Sequence, residues 1–238
     1  MYHPIRSSKV FEQISAQIEQ LIISGHLHNG DRLPTERDLA DQFHASRTAV
    51  REAMKTLAQK GLVEMRPGRG TMVIDGTSQA MQHSLGLLLR LGPAGSEENL
   101  VEVREILEPE IAARAAERAS QEHLTALQKA VASMDASLED ATPYIAADNA
   151  FHRTLAQATH NALLLTFVDS IVGLLSEQRT HVFSVPGGPA RGQVHHKQIL
   201  EAVRRHDPEA ARAAMQAHLH QVRADVETAL ARREHSPH

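Results

Sequence analysis

The stretch "LPTERDLADQFHASRTAVREAMKTLAQKGLVEMRPGRGTMV", residues 33–73, constrains the fold more than any other part of the chain. Thr35, with Asp38 three residues on, has the form of a capping box with Asp in place of the usual Glu, and starts a helix that runs to about His44. Ser46 is a good N-cap for the next helix, which Gly61 ends and in which Val50, Ala53, Met54 and Leu57 form the apolar stripe. Upstream, Val10, Ile14, Ile18, Leu21 and Ile22 recur at helical spacing, between the cap candidates Ser7-Ser8 and a stop at Gly25. The segment "GHLHNGDRLP" between these helices reads as a loop. After Gly61, "LVEMR" and "TMVI" are short β-type runs around "PGRG", a hairpin turn with Arg69 at its tip. Three helices and a hairpin make a winged helix-turn-helix.

The face of the third helix opposite its apolar stripe carries Arg47, Arg51 and Lys55, four residues apart and so on one side. Such a row can follow phosphates or read base edges in a major groove, while a wing reaches the minor groove. Taken alone, the three charges fit a solvated helix face better, which is the commoner fate of such patterns. The flanking helices and the Gly-rich hairpin tip the reading toward double-stranded DNA.

At 238 residues the chain has the length of two domains. The short polar stretch "DGTSQA" is a reasonable link, dividing it into 1–76 and 77–238. Residues 1–76 hold 10 Lys/Arg against 9 Asp/Glu, and 77–238 hold 15 against 20, so the two parts meet different partners. Beyond the link, helical patterns recur at 80–91, 97–118, 121–138, 143–158, 161–181, 193–206 and 208–232, separated by "GPAGS", "ATP", "SVPGGPARG" and "HDP". With no Trp, 3% aromatic residues and no strand alternation, this half predicts an all-helical bundle of six or seven helices, and the whole chain a mainly α protein. No apolar run approaches the roughly 20 residues that span a bilayer, and the N-terminus has no apolar core of the signal-peptide kind, which predicts a soluble cytoplasmic protein without a membrane partner.

The absence of Cys excludes disulfides, thiolate nucleophiles and Cys-type zinc sites, so any metal must rest on carboxylates and the sixteen His. Asp148 and His152 share one helix face with Leu155. His196 keeps phase with Ile199, Leu200 and Val203, and His218 lies between Ala211, Met215 and Val222. Three helices thus offer one Asp and three His from apolar faces. A single His in such a place is more often a hydrogen-bonded core residue than a ligand, but four together suit Zn²⁺ or another first-row divalent ion. Arg104, among Leu100, Leu107 and Ile111, also sits on a mostly apolar face; its partner is either a ligand carboxylate or Glu108 one turn away.

The segment "GDRLPTERDLADQFHASRTAVREAMKTLAQKGLVEMRPGRGTMV" resembles the N-terminal domain of GntR-family bacterial transcription regulators. The resemblance implies DNA contacts from Arg37, Ser46, Arg47, Thr48 and Arg51, with Gly68 and Arg69 on the wing; Ala49 departs from the Pro of many relatives. "EVREILEPEIAARAAERA", "DNAFHRTLAQATHN" and "HHKQILEAVRRHDPEAARAAMQAHL" resemble the helical ligand domain of the FadR subgroup. That likeness implies a metal held by Asp148, His152, His196 and His218 and a small organic acid as effector; Zn or Ni suits the donor set, and the acid would bind the metal and Arg104. His195 stands where relatives usually have Glu. Asn161 matches a position often near the ligand pocket, but an Asn starting a helix is also a cap.

The reading that uses both halves is a ligand-responsive transcription regulator, a homodimer matching a near-palindromic operator, in which an effector shifts the helical domain between arrangements. A metal-dependent hydrolase or lyase is the alternative from another class; the chain has no GxSxG, HExxH or P-loop motif. A third reading keeps DNA binding and makes every histidine structural.

Overall fold

The computed structural model describes residues 9–66, 68, 70–91 and 96–234. The chain divides into two compact units, Met1–Ser84 and Leu85–His238.

The first unit contains α1 (Val10–Ile23), α2 (Glu36–Gln42), α3 (Arg47–Gln59) and the antiparallel strands β1 (Val63–Arg66) and β2 (Gly70–Val73). Its core joins Ile14 and Ile18 of α1, Leu39 of α2, the α3 stripe Val50, Ala53, Met54 and Leu57, and Val63 and Val73 of the hairpin. The spacing of apolar residues therefore selected the faces that pack. Thr35 caps α2 by accepting the Asp38 N–H at 3.2 Å, and its hydroxyl donates to Asp38 Oδ2 at 2.7 Å. Ser46 caps α3 by accepting the Ala49 N–H at 3.1 Å. Ser46→Ala is expected to lower the stability of this unit by about 1 kcal/mol, while Ser46→Asp retains it, in urea unfolding followed by circular dichroism.

Three expectations change here. The N-cap of α1 is Lys9; the candidates Ser7-Ser8 lie outside the described residues. Helix α2 ends at Gln42 rather than near His44, because His44 turns into the left-handed region at φ 49°. His160 and His206 take the same conformation just after the helices that end at Ala158 and Arg204, so among the described residues three histidines mark helix ends. The loop before α2 is not free of pairing: Arg32 bridges Met72, Val73 N–H donates to Asp31 O at 2.8 Å, and Leu33 N–H to Thr71 O at 2.9 Å. These bonds extend the hairpin by one short edge, which only backbone proximity in the folded unit reveals. The hairpin closes with Arg66 opposite Gly70; Gly68 at φ 71° supplies the left-handed turn residue, and Pro67 and Arg69 lie outside the described residues.

After α4 (Thr77–Leu91), within which the division falls, the second unit contains α5 (Ser96–Arg118), α6 (Gln121–Asp135), α7 (Ala141–Ala158), α8 (Ala162–Leu174), α9 (Ser176–Phe183), α10 (Gly188–Arg204) and α11 (Pro208–Glu234). Helix α11 packs along α5 and α10, and α6 along α7. The core joins Ile111 of α5, Leu127 and Met134 of α6, Phe151 and Leu155 of α7, Ile199 and Val203 of α10, and Met215 and Leu219 of α11. Among the described residues no helix is long and apolar enough to cross a membrane.

The helix expected over 161–181 is two helices. Leu175 leaves helical dihedrals at φ −87° and ψ 0° while its side chain stays buried with Leu100 and Ile171, a tertiary contact that periodicity does not encode. The helix expected from 193 begins at Gly188: Gly187 reverses the chain at φ 71°, and Pro189 takes a first-turn position that needs no N–H. Part of the supposed separator "SVPGGPARG" is thus helical.

Candidate functional site

On the first unit, Arg37 of α2, Ser46, Arg47, Thr48 and Arg51 at the start of α3, and Gly68 in the hairpin turn are all exposed; Arg69 lies outside the described residues. Arg51 does not stand free. Its Nε and Nη2 donate to the Glu36 carboxylate of α2, with the shortest contact at 2.8 Å. This hydrogen bond holds the Glu36 carboxyl below its usual range and fixes one edge of the guanidinium, leaving the Nη1 N–H groups for another acceptor. Lys55 pairs with Glu52 at 2.8 Å. The Lys55–Glu52 pair is exposed on both sides, and such a pair is weak and exchanges readily for a phosphate. Neither Glu36 nor Glu52 was singled out from sequence; Glu36 precedes Arg51 by 15 positions, too far for helical spacing to relate them.

In the second unit, α7 brings Asp148 and His152, α10 brings His196 and α11 brings His218 to one place. One ligand-type atom from each lies within 4.8 Å of the others. All three imidazoles are at most 3% exposed. His196 Nδ1 is 3.3 Å from Gln193 Oε1, and Gln193 Nε2 donates to Val131 O at 2.7 Å. The Val131 carbonyl can only accept, so the amide oxygen faces His196, the proton sits on Nδ1, and Nε2 keeps its lone pair. That lone pair lies 3.0 Å from Asp148 Oδ1. His152 repeats the pattern: Nδ1 is 2.7 Å from Glu108 Oε2 and Nε2 is 3.6 Å from Asp148 Oδ1. The Nδ1 separation is that of a hydrogen bond but the angle is not, and the Glu108 carboxylate faces that edge of the ring as an acceptor.

Two acceptors facing each other at such distances repel unless a proton or a metal cation lies between them. Ligands at about 2.0–2.1 Å from a tetrahedral zinc are about 3.3 Å apart, which falls between the two observed separations. His152, His196 and His218 also bury ring nitrogens without a hydrogen bond, where buried polar atoms are ordinarily paired. Burial first, then neighbouring positive charges including Arg104, hold His196 and His218 well below the usual imidazole range, so both are neutral and able to ligate. The donor set therefore fits a divalent ion, with Gln193 and Glu108 orienting two of its rings.

The cluster opens on a cavity of about 60 Å³, lined by Arg104, Asp148, Arg179, His196, His218 and Gln221, with apolar walls that include Phe183 and Val222. Arg104 is buried, donates to Glu108 Oε1 at 2.5 Å, and still lines the cavity, so the two partners weighed for it are compatible. Burial of Glu108 opposes its ionisation, but Arg104 and His152 outweigh that and hold its carboxyl well below the usual range. Arg179 of α9 was not found from sequence. Its Nη1 closely approaches Asp148 Oδ2, and its three guanidinium nitrogens have no hydrogen bond among the described residues. Burial, then the charge of Arg104, pull it down to about 9. Asn161 is not in the cavity lining; it is the N-cap of α8, accepting the Leu163 and Leu164 N–H groups at 3.0 and 3.4 Å. His195 is half-buried, its ring centroid 6.2 Å from that of His218.

Residues 11–73 match the bacterial regulatory proteins of the gntR family, and residues 99–221 match the FCD domain. The chain belongs to the GntR family. Among curated relatives of this GntR regulator, the HTH-type transcriptional repressors NanR of Enterobacter sp. (strain 638) and of Escherichia coli (strain K12) are each 30% identical over 226 residues, 93% of this chain and 86% of the relative. The solved structure of Streptococcus agalactiae GntR superposes with a TM-score of 0.73 at 26% identity, covering 90% of this chain and 99% of that one. The winged helix-turn-helix is thus the DNA-binding half of a GntR regulator, and the helical half is its FCD ligand-binding domain.

Proposed function

We propose that this GntR regulator is a homodimer that binds a near-palindromic operator and responds to a small carboxylate. The acid is held by a divalent ion, zinc or nickel, at Asp148, His152, His196 and His218, and by the guanidinium groups of Arg104 and Arg179. The observation that carries this reading is the convergence of buried lone pairs and two buried guanidinium groups on one cavity, a combination suited to an anion that also ligates a metal. When bound, the ion supplies a Lewis-acidic contact for a carboxylate oxygen. Arg104, pinned by Glu108, and Arg179, opposite Asp148, supply donors for the rest of the carboxylate. The NanR relatives are repressors by name, which supports repression as the direction of control. For the acid to act as a signal it must bind one arrangement of α5, α9, α10 and α11 more tightly than another. On DNA, Arg37, Ser46, Arg47, Thr48 and Arg51, with Gly68 and Arg69 of the wing, make the contacts.

The test is a thermal-shift screen of small carboxylates on full-length protein, stripped by chelator or reloaded with Zn²⁺ or Ni²⁺. Stripping is expected to lower the melting temperature and reloading to restore it. One acid is then expected to raise the melt of the loaded form only, and to change operator affinity in a mobility-shift assay. If stripping leaves the melt unchanged and no acid moves either form, the histidines are structural and only DNA binding survives from this reading.

A further inference from the structure

The cavity beside the ion cluster holds one polar atom that neither the metal nor the two arginines account for. Gln221 lies on α11, three residues after His218, and its Oε1 is buried with no hydrogen-bond partner among the described residues. Its side chain lines the cavity. The other end of the same amide is committed, since Nε2 donates to Asp225 Oδ2. Asp225 is itself 4% exposed and takes Arg191 Nη2 on its other oxygen at 2.5 Å. Arg191 Nη1 donates to Pro186 O at 3.0 Å, tying the relay to the turn that precedes α10.

This relay settles which end of the amide is which. A carboxylate paired with a guanidinium accepts and does not donate, so Asp225 selects the amide nitrogen and turns the carbonyl end away from itself. A Cβ at Gly192 would stand 3.5 Å from both Gln221 Oε1 and Tyr144 Oη, so the missing side chain leaves that oxygen open. The Tyr144 hydroxyl donates to Pro189 O at 3.1 Å, which leaves it, too, with acceptor capacity toward Gly192. Beside Gly192 the cavity therefore presents two acceptors, Gln221 Oε1 and the Tyr144 hydroxyl oxygen.

We propose that Gln221, held by Asp225 and Arg191, is a specificity-determining residue: it selects acids that carry, besides the carboxylate, a hydroxyl or amide N–H able to donate to Oε1. The inference rests on the carboxylate reading above. An acid without that donor seals a buried acceptor away unpaired, and a site built to pair such an atom rejects the analogue lacking its partner.

The experiment is calorimetric titration of the zinc-loaded full-length protein with matched acids: lactate against propionate, 3-hydroxybutyrate against butyrate, gluconate against hexanoate, and N-acetylglycine against 4-oxopentanoate. At least one donor-bearing acid is expected to bind about ten-fold or more tightly than its partner. In Gln221→Leu that ratio falls to about two-fold or less, through loss of the donor-bearing acid alone. Gly192→Ala, which covers Oε1 with a methyl and leaves α11 untouched, removes the same preference and guards against a folding defect in the Gln221 variant. Equal binding within every pair, or a preference that survives both substitutions, overturns the inference and leaves the carboxylate reading standing. If no acid of either kind binds the wild type, the carboxylate reading falls and takes this inference with it.

Discussion

Asp148→Ala is expected to destabilise the helical unit by about 3–5 kcal/mol, more than any single metal-ligand contact would suggest. Two losses combine. Asp148 Oδ1 is the oxygen that faces His196 Nε2 at 3.0 Å, so its removal takes one ligand from the cluster. Asp148 Oδ2 is the carboxylate in contact with Arg179, whose side chain is 9% exposed, and without it only the charge of Glu108 is left to offset the desolvation of a buried guanidinium. The two parts separate in a chemical-denaturation series with and without chelator. The loss is expected to persist in chelated protein and to shrink when Arg179→Met accompanies Asp148→Ala, as a double-mutant cycle on a coupled pair requires. A variant that unfolds like the wild type in chelator would show that Glu108 suffices as the counter-charge of Arg179.

Arg51→Ala is expected to weaken operator binding by about 1–3 kcal/mol, roughly 5- to 150-fold, and to relax preference at one base step. The fold should be unaffected, because the lost Glu36 pair is exposed and contributes little to stability. The expected magnitude depends on Glu36, which holds the guanidinium by Nε and Nη2 so that less side-chain freedom is lost on meeting a base. Binding measured against the operator and its single-base variants reads both effects. Unchanged affinity and preference would remove Arg51 from the DNA face. A uniform loss across all sequences, with a shallower salt dependence, would place it on a phosphate instead.

Much of the architecture was legible along the chain. The capping pair Thr35 and Asp38, the cap Ser46 and the stripe Val50, Ala53, Met54 and Leu57 are local signals, and they formed the elements their spacing predicts. Local signals failed where a tertiary contact took over. Leu175 breaks a long apolar run because its side chain is held against Leu100 and Ile171. Gly187 and Pro189 start α10 earlier than its apolar pattern does, since its first turns pack through Gly188 and Gly192, which have no apolar side chain for periodicity to register.

The candidate site divides in the same way. Asp148, His152, His196 and His218 could be picked out because each kept phase with buried neighbours on its own helix, and period alone turned all four inward. Glu108 and Gln193 lay within one turn of Arg104 and His196, close enough for spacing to suggest them. Arg179 had no such signal: α9 has no apolar face in sequence, and its position beside Asp148 follows from the turn at Leu175. Asn161 went the other way, since a cap and a ligand contact look alike in sequence and only the hydrogen bonds to Leu163 and Leu164 distinguish them.

By itself, then, the sequence determined the class of fold, the exposed basic face of α3 and the four side chains that converge between helices, because each depends on periodicity within a single helix. The tertiary structure decided which charges neutralise one another, which amide and imidazole edges carry protons, and which atoms remain unpaired in the cavity. Those properties arise between helices far apart in sequence, in a buried medium where every polar atom must find a partner or a ligand.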